Sequence, residues 1–381
     1  MTVFLIAFVV ASLVTLFILH AASNDGHISL DTDLDGPQKL HARPVPRVGG
    51  IGIAFGTLAA VLLMVWSRPD VGLPALVLLA CAVPAFAAGL LEDLTKRVSP
   101  TQRLLCTALS AALAAWLLGA VVARTDIPGI DWIAATPAGA IFLAIFVVAG
   151  VSNSINIIDG MNGLASMSSI IMLAGLSYVA FGVGDQLVML SSLAMIGAVL
   201  GFFVWNYPRG LIFLGDGGAY FIGFMMAVLG ILLVQRNPQV SPIFPLLLCA
   251  YPIYETLFSM YRRKVVRGRS VGMPDGIHLH TLIYKRLMRW ALGDADAAVL
   301  TRRNSMTSPY LWVLCSLSVV PSVLWWDSSA VLTAWLLLFV FSYRLLYSRI
   351  VRFKTPRLLI VARRPAPSGP ASQNPETHPE R

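Results

Sequence analysis

Two adjacent carboxylates, Glu92 and Asp93, close a long apolar run and are followed by Lys96 one helical turn after Glu92. Like charges this close disfavour joint ionisation unless a cation lies between or beside them. The pair therefore indicates a functional site, and both carboxylates are predicted to take part in catalysis. The alternative is a solvated helix end with an ion pair between Glu92 and Lys96.

Amides and a further carboxylate interrupt a second apolar stretch, at Asn156, Asp159 and Asn162. On a helix, Asn156 and Asp159 are three residues apart and share a face. They can therefore offer two oxygen ligands to a hard cation. The glycines on either side of Asn162 permit a broken helix whose backbone approaches a ligand. The alternative is a polar turn between two membrane spans.

A third acidic motif places Asp216 between glycines at the start of another apolar run, in the sequence Gly-Asp-Gly-Gly. The backbone N–H groups of a helix N-terminus favour anions, and the carboxylate suits a metal or phosphate site. The same four residues also occur in ordinary turns. The functional interpretation gains weight because all three acidic motifs fall on the same predicted side of the membrane.

Cationic and imidazole side chains accompany these carboxylates in two polar segments. The first segment alternates basic residues with rigid Pro and flexible Gly, and its members are Lys39, His41, Arg43 and Arg47. The second carries His278 and His280, a pair that could bind metal or contact phosphate but is also common in structural roles. Carboxylates, cations and His without a Ser-His-Asp or Cys nucleophile arrangement predict phosphoryl chemistry, which depends on positioning and charge neutralisation, usually with Mg²⁺.

The elements that must position these residues are membrane spans. The chain has 381 residues, of which 57% are hydrophobic and 12% charged, with a mean hydropathy of +0.75. Apolar runs of about 20 residues are long enough to cross a hydrocarbon core. We therefore predict an all-α, polytopic membrane protein with about eleven transmembrane helices, near residues 3–20, 49–67, 73–91, 104–122, 138–157, 164–182, 187–205, 217–235, 242–260, 309–326 and 329–347.

The distribution of Lys and Arg predicts the orientation. The odd-numbered connections and the C-terminal tail carry 24 of these residues, whereas the even-numbered connections carry three. By the positive-inside rule, the odd connections and the C-terminus are cytoplasmic, and the N-terminus is periplasmic. The net charge of +9 is thus mostly topological and is no evidence for nucleic acid binding. We predict a transmembrane domain over 1–348 with cytoplasmic catalytic loops, and a cytoplasmic tail over 349–381 that is disordered from about 365.

In its motifs, the chain resembles the polyprenyl-phosphate N-acetylhexosamine-1-phosphate transferases of glycosyltransferase family 4. The resemblance covers roughly residues 35 to 285, and five motifs occur in the family's order: Arg47 to Gly50, Glu92-Asp93 with Lys96, Asn156 to Leu164, Gly215 to Gly218, and the segment with His278 and His280. Three positions depart from the family pattern. Glu92 and Asn162 each replace an Asp, and Thr281 replaces a His. These departures put the sugar substrate and the exact metal ligands in question, whereas Asp93, Asp159 and Asp216 all remain.

The resemblance implies a reaction between a UDP-sugar and a polyprenyl phosphate such as undecaprenyl phosphate, which yields the polyprenyl-diphospho-sugar and UMP. It implies a divalent cofactor, Mg²⁺ or Mn²⁺, held by Asp216 with Asn156. Asp93 would orient or deprotonate the lipid phosphate, and Asp159 would support the metal or the nucleotide. The residues expected to bind substrate are Lys39, His41, Arg43, Arg47, Lys96, Arg103, Asn162, His278 and His280. A direct attack and a two-step path through a phosphorylated carboxylate are both compatible with the motifs.

By the same resemblance, the protein would lie in the bacterial inner membrane, start an O-antigen or lipopolysaccharide-like cell-envelope polysaccharide and, by analogy, form a homodimer. The alternatives are a transporter or lipid flippase without transferase activity, and an inactive scaffold. A transporter would carry charges near the bilayer midplane or two halves with matching interruptions. Glu255, within the predicted ninth span, is the one residue that favours the transporter.

Overall fold

The computed structural model describes residues 1–25, 45–266, 268, 277–288 and 297–352, and these residues form helices without β-strands. The α-helices are α1 (Thr2–Asp25), α2 (Gly49–Ser67), α3 (Pro69–Thr95), α4 (Pro100–Leu118), α5 (Ile130–Ala134), α6 (Pro137–Ile158), α7 (Leu164–Val183), α8 (Gln186–Asn206), α9 (Gly215–Arg236), α10 (Ile243–Leu248), α11 (Ala250–Tyr261), α12 (Leu279–Leu282), α13 (Ala297–Leu324) and α14 (Ser329–Val351). Two π-helical turns, Arg262–Val266 and Ile283–Met288, continue α11 and α12.

Ten helices in the described part of the chain are long and apolar enough to cross a membrane. The prediction of an all-α, polytopic membrane protein is therefore confirmed. The predicted span at 242–260 differs in detail, because it consists of two short helices, α10 and α11, that meet at Cys249. Pro252 explains the break, since it has no N–H to donate to the carbonyl of Leu248 four residues earlier.

Helix α9 forms the centre of the bundle. Every residue from Gly215 to Leu233 is buried, and α2, α3, α6, α7 and α8 surround it. Glycines allow close backbone approach at these contacts, as is common between membrane helices. A Cβ on Gly50 of α2 would lie 2.3 Å from the backbone nitrogen of Gly218, and a Cβ on Gly89 of α3 would lie 2.6 Å from the nitrogen of Gly217.

The start of α9 therefore lies beside the start of α2 and the ends of α3 and α6. The backbone confirms the first junction, because Gly49 and Gly50 donate to the carbonyls of Phe213 and Leu214, each at 3.0 Å. The far end of α9 is held differently: Arg236 and Asn237 both donate to a carboxylate oxygen of Asp185, at 2.8 and 3.1 Å. The three acidic motifs of the sequence thus meet at one end of the bundle.

Two predicted features fall partly or wholly outside the described residues. The basic segment with Lys39, His41 and Arg43 precedes residue 45, and most of the predicted tail follows residue 352. The described part of the tail, 349–352, continues α14, which ends at Val351.

Candidate active site

Asp93 binds the first turn of α9. Its side chain is 1% exposed, and its two oxygens accept hydrogen bonds from the backbone N–H groups of Asp216 and Gly217, each at 2.9 Å. The first N–H groups of a helix have no partner within the helix, and a negative charge there also interacts favourably with the helix dipole. Asp93 therefore holds the start of α9 in place.

Asp216 is the point at which the site converges. Asn156, from the end of α6, donates to its Oδ1 atom at 2.8 Å, and Arg103, from the first turn of α4, forms an ion pair with its Oδ2 atom. Arg47 approaches Oδ1 to 3.6 Å and lies 4.0 Å from Asp93. The carboxylate of Asp216 thus contacts one amide and two guanidinium groups, which come from three separate segments.

Local sequence features place Arg103 and Arg47 beside Asp216. Ser99 and Gln102 form a reciprocal capping box that starts α4 and so places Arg103 in its first turn. Gly215 has a φ of +75°, and a Cβ there would lie 2.1 Å from the carbonyl oxygen of Arg47 and 2.5 Å from Asp93. Only glycine fits this junction, because it tolerates positive φ and has no side chain.

Asp159 follows α6 in a turn and is partly buried. Burial raises the pKa of its carboxyl to about 7, and the positive charge of Arg47 opposes that rise. Asp159 also interacts electrostatically with Asp93. Asp93, Asp159 and Asp216, which we call the carboxylate cluster, therefore surround the guanidinium group of Arg47.

The two predicted histidines lie beside this cluster and are almost fully buried. Their rings stack in parallel with centroids 5.3 Å apart. A Cβ on Gly160, the residue after Asp159, would lie 2.5 Å from the Nε2 atom of His280. His278 faces the other way, with its Nδ1 atom 3.0 Å from a carboxylate oxygen of Glu255. Long-range folding thus joins the His segment to the turn that carries Asp159.

Comparison with known proteins agrees with the family resemblance of the sequence motifs. A profile described as "Glycosyl transferase family 4" matches residues 75–234, which run from α3 to α9 and include the carboxylate cluster. The carboxylate cluster therefore lies in a segment that is similar to this family. Arg47, Glu255 and both histidines lie outside the matched segment of the family profile.

Proteins with related sequences come from several bacteria. The chain is 27% identical over 296 residues to the "Probable undecaprenyl-phosphate N-acetylglucosaminyl 1-phosphate transferase" of Bacillus subtilis, which covers 75% of this chain and 78% of the relative. It is 29% identical over 259 residues to the "Undecaprenyl-phosphate alpha-N-acetylglucosaminyl 1-phosphate transferase" of Thermotoga maritima, with 68% and 75% covered. It is 30% identical over 179 residues to the "Phospho-N-acetylmuramoyl-pentapeptide-transferase" of Streptococcus thermophilus, with 46% and 53% covered.

The two carboxylates of the paired-acid motif, Glu92 and Asp93, contact different parts of the protein. Unlike Asp93, Glu92 points to the turn between α3 and α4, where its Oε2 atom accepts from the backbone N–H of Val98 at 2.8 Å. Successive helical side chains diverge by about 100°, so the two carboxylates do not share one site. Lys96 ends α3 in the left-handed conformation and is exposed, within electrostatic range of Asp93. A catalytic role for both carboxylates stays a prediction.

Asn162, where the family has Asp, is tied to protein groups. Its amide nitrogen donates to the carbonyl of Pro208 at 3.2 Å, its backbone N–H donates to the side chain of Asn304, and its carbonyl accepts from Ser308. The residue is 6% exposed. These contacts join the turn after α6 to α13, and a substrate contact by Asn162 stays a prediction. An aspartate could not donate to Pro208.

Glu255 was not predicted as a site residue, although its sequence position within an apolar run was a signal. An acid buried in a membrane helix is costly and is retained where it has specific partners. Its partners here are His278, the backbone N–H of Leu279 and the hydroxyl of Tyr343. No periodicity in the sequence indicates that these residues meet.

Proposed function

We propose that the chain transfers a sugar-1-phosphate of the N-acetylhexosamine type from a UDP-sugar to undecaprenyl phosphate or a similar polyprenyl phosphate, releasing UMP. The observation that carries the proposal is the convergence of Asn156, Arg47 and Arg103 on Asp216, beside the rest of the carboxylate cluster, at one end of a membrane bundle. The names of the Bacillus and Thermotoga relatives support the acceptor lipid and the N-acetylglucosaminyl type of donor.

Two arginines supply the positive charge that a diphosphate requires. Arg47 and Arg103 both lie against Asp216, and their guanidinium groups can bind phosphate oxygens in a bidentate manner. Both carboxylate and phosphate are anions, so a substrate phosphate would share these arginines with Asp216. The exchange requires only side-chain movement, because the backbone of α9 is fixed by Asp93.

The reaction needs positioning more than proton removal. In a direct displacement, an oxygen of the lipid phosphate forms a bond to the sugar-bound phosphorus of the donor, the diphosphate P–O bond breaks, and UMP leaves with the bonding electrons. A phosphate monoester has a second pKa of about 6, so the attacking group is already mostly dianionic near neutral pH. Asp93, whose oxygens are both occupied by backbone N–H groups, is therefore assigned the task of holding Asp216 in register.

The residues at the centre also suit Mg²⁺ or Mn²⁺. Asp216 and Asn156 are hydrogen-bonded neighbours and each carries a side-chain oxygen that could bind the ion, and Mg²⁺ typically takes one or two protein ligands together with substrate phosphates and water. When bound, such an ion would neutralise charge on the diphosphate.

We further propose that the protein lies in a bacterial inner membrane with its N-terminus in the periplasm and its C-terminus in the cytoplasm. The excess of basic residues in the odd connections supports this orientation. It would bring the carboxylate cluster to the side on which UDP-sugars are available. A role in starting O-antigen or another cell-envelope polysaccharide follows from the same chemistry.

Release of UMP tests the function. Purified protein would be incubated with polyprenyl phosphate, Mg²⁺ and a panel of UDP-N-acetylhexosamines, and both UMP and the lipid-linked product would be measured. Asp216→Ala should abolish turnover, since it removes the central ligand. Asp70→Ala is the matched control, because Asp70 is exposed at the opposite end of α3 from Asp93. Near-normal UMP release by Asp216→Ala would contradict the assignment.

The transporter or flippase alternative is not favoured. The related proteins are named for group transfer, and the carboxylate cluster lies at helix ends. Glu255, the residue that favoured the alternative, is occupied by partners within the protein. Movement of lipid or sugar by reconstituted protein without any UMP release would restore the alternative.

A further inference from the structure

Glu255 lies in the middle of α11 with 1% of its surface exposed, and its two oxygens receive three hydrogen bonds. Oε1 is 3.0 Å from the Nδ1 atom of His278 and 3.1 Å from the backbone nitrogen of Leu279, and Oε2 accepts from the hydroxyl of Tyr343. Because the backbone N–H can only donate, the carboxylate acts as the acceptor. The Nδ1 atom of His278 accordingly carries its hydrogen towards Glu255, which fixes the orientation of the ring.

The last helix, α14, holds the same segment from a second side. Tyr343 and Tyr347 are one helical turn apart, so both hydroxyls point the same way. Tyr347 accepts from Arg262 at 2.6 Å and donates at 3.2 Å to the carbonyl of Ile277, the residue before His278. Two tyrosines of α14 thus bind the residues on which the orientation of His278 depends. Both lie beyond the segment that matches the family profile.

The His pair transmits this arrangement to the carboxylate cluster. The ring of His278 lies parallel to that of His280, with an interplanar angle of 5°. The ring of His280 in turn fills the space above Gly160, next to Asp159. A shift of His278 would move His280, because closely packed rings in a buried site have no free volume in which to compensate.

We propose that Glu255 and Tyr343 are positioning residues of the transfer reaction, which orient His278 and through it place His280 beside Asp159. The inference rests on the proposed function and adds the residues that control one wall of the site. Helix α14 is therefore part of the catalytic assembly as well as a membrane span. Neither Glu255 nor Tyr343 contacts the carboxylate cluster directly, so both act through the histidines.

Tyr343→Phe tests the proposal with the smallest change. It removes one hydroxyl and keeps the ring that packs against Tyr254 and Phe258. We expect kcat for UMP release to fall on the order of tenfold, which is typical of losing a hydrogen bond to a charged group. Tyr251→Phe is the matched control, because the hydroxyl of Tyr251 is buried on the same helix as Glu255 with no hydrogen-bond partner among the described residues. It should keep wild-type turnover.

A double-mutant cycle separates positioning from general stability. If Tyr343 and Glu255 act through His280, then Tyr343→Phe and Glu255→Gln should each change turnover by less than about twofold once His280→Ala is present. Damage to the fold as a whole would instead multiply with the effect of His280→Ala. Thermal unfolding of each variant reports whether the bundle remains intact.

The outcomes are distinct. Lower turnover in Tyr343→Phe, wild-type turnover in Tyr251→Phe and no further loss in the His280→Ala background would support the proposal. Equal turnover of the two Tyr variants, or multiplicative losses in the cycle, would overturn it while leaving the proposed function intact. Failure of the wild-type protein to release UMP from any donor would refute the proposed function and this inference together.

Discussion

Replacement of Asp93 by Asn tests whether this residue holds α9 or removes a proton. Asn keeps one acceptor oxygen but presents an NH₂ group to one of the two backbone N–H groups, at Asp216 or Gly217, that the carboxylate now receives. A hydrogen bond to a charged group contributes about 1.5–3 kcal/mol. Loss of the negative charge at the helix N-terminus adds about 0.3–2 kcal/mol. We therefore expect Asp93→Asn to lower the free energy of unfolding by about 3 kcal/mol.

The assay is thermal unfolding of purified protein in detergent. For large domains, each kcal/mol shifts the midpoint by roughly 2 to 4 °C, which predicts a fall of about 6 to 12 °C for Asp93→Asn. Glu92→Gln is the control. It removes the adjacent carboxylate but keeps an oxygen to accept from Val98 at the partly exposed turn. Its unfolding midpoint should stay close to that of the wild type.

Turnover gives the second readout. Because Asp93 fixes the backbone of Asp216, its loss should displace the central ligand and lower UMP release at every pH. Raising the pH cannot restore a misplaced side chain, whereas it would compensate for a missing general base. Full rescue of Asp93→Asn at high pH, or an unfolding midpoint equal to that of the wild type, would refute the positioning argument.

Three further substitutions test other parts of the site. Gly50→Ala should lower the free energy of unfolding by about 1–3 kcal/mol, because its Cβ would lie 2.3 Å from the backbone of α9. Gly150→Ala is the control and should leave that free energy unchanged, because its Cβ would have no neighbouring atom within 4 Å. Asn162→Asp should destabilise by about 2–4 kcal/mol, since a buried carboxylate would face the carbonyl of Pro208; a normal thermal midpoint would contradict this. Because the folded pKa of Asp159 is raised to about 7, the folded state holds this proton more tightly than the unfolded chain, and stability falls as pH rises towards that value. Asp159→Asn should flatten this fall between about pH 4 and 7 in thermal unfolding, and an unchanged pH profile would count against it.

Some properties of this protein follow from the sequence by itself, because they depend on local composition. An apolar run of about 20 residues partitions into lipid whatever surrounds it, so the helical class and most spans could be predicted. The broken span, α10 with α11, shows the limit of hydropathy, since Pro252 interrupts the backbone without changing the apolar character of the run. The three acidic motifs could also be recognised, because carboxylates and amides are expensive in such runs.

Only the tertiary structure decided what each of these residues does. Glu92 and Asp93 are neighbours in sequence, yet Glu92 binds a local turn whereas Asp93 binds the backbone of Asp216, 123 residues later. Asn162 and Glu255 likewise depend on partners in α13 and α14. The physical reason is that a buried polar group takes its role from whichever donors or acceptors reach it, and long-range packing determines which ones do.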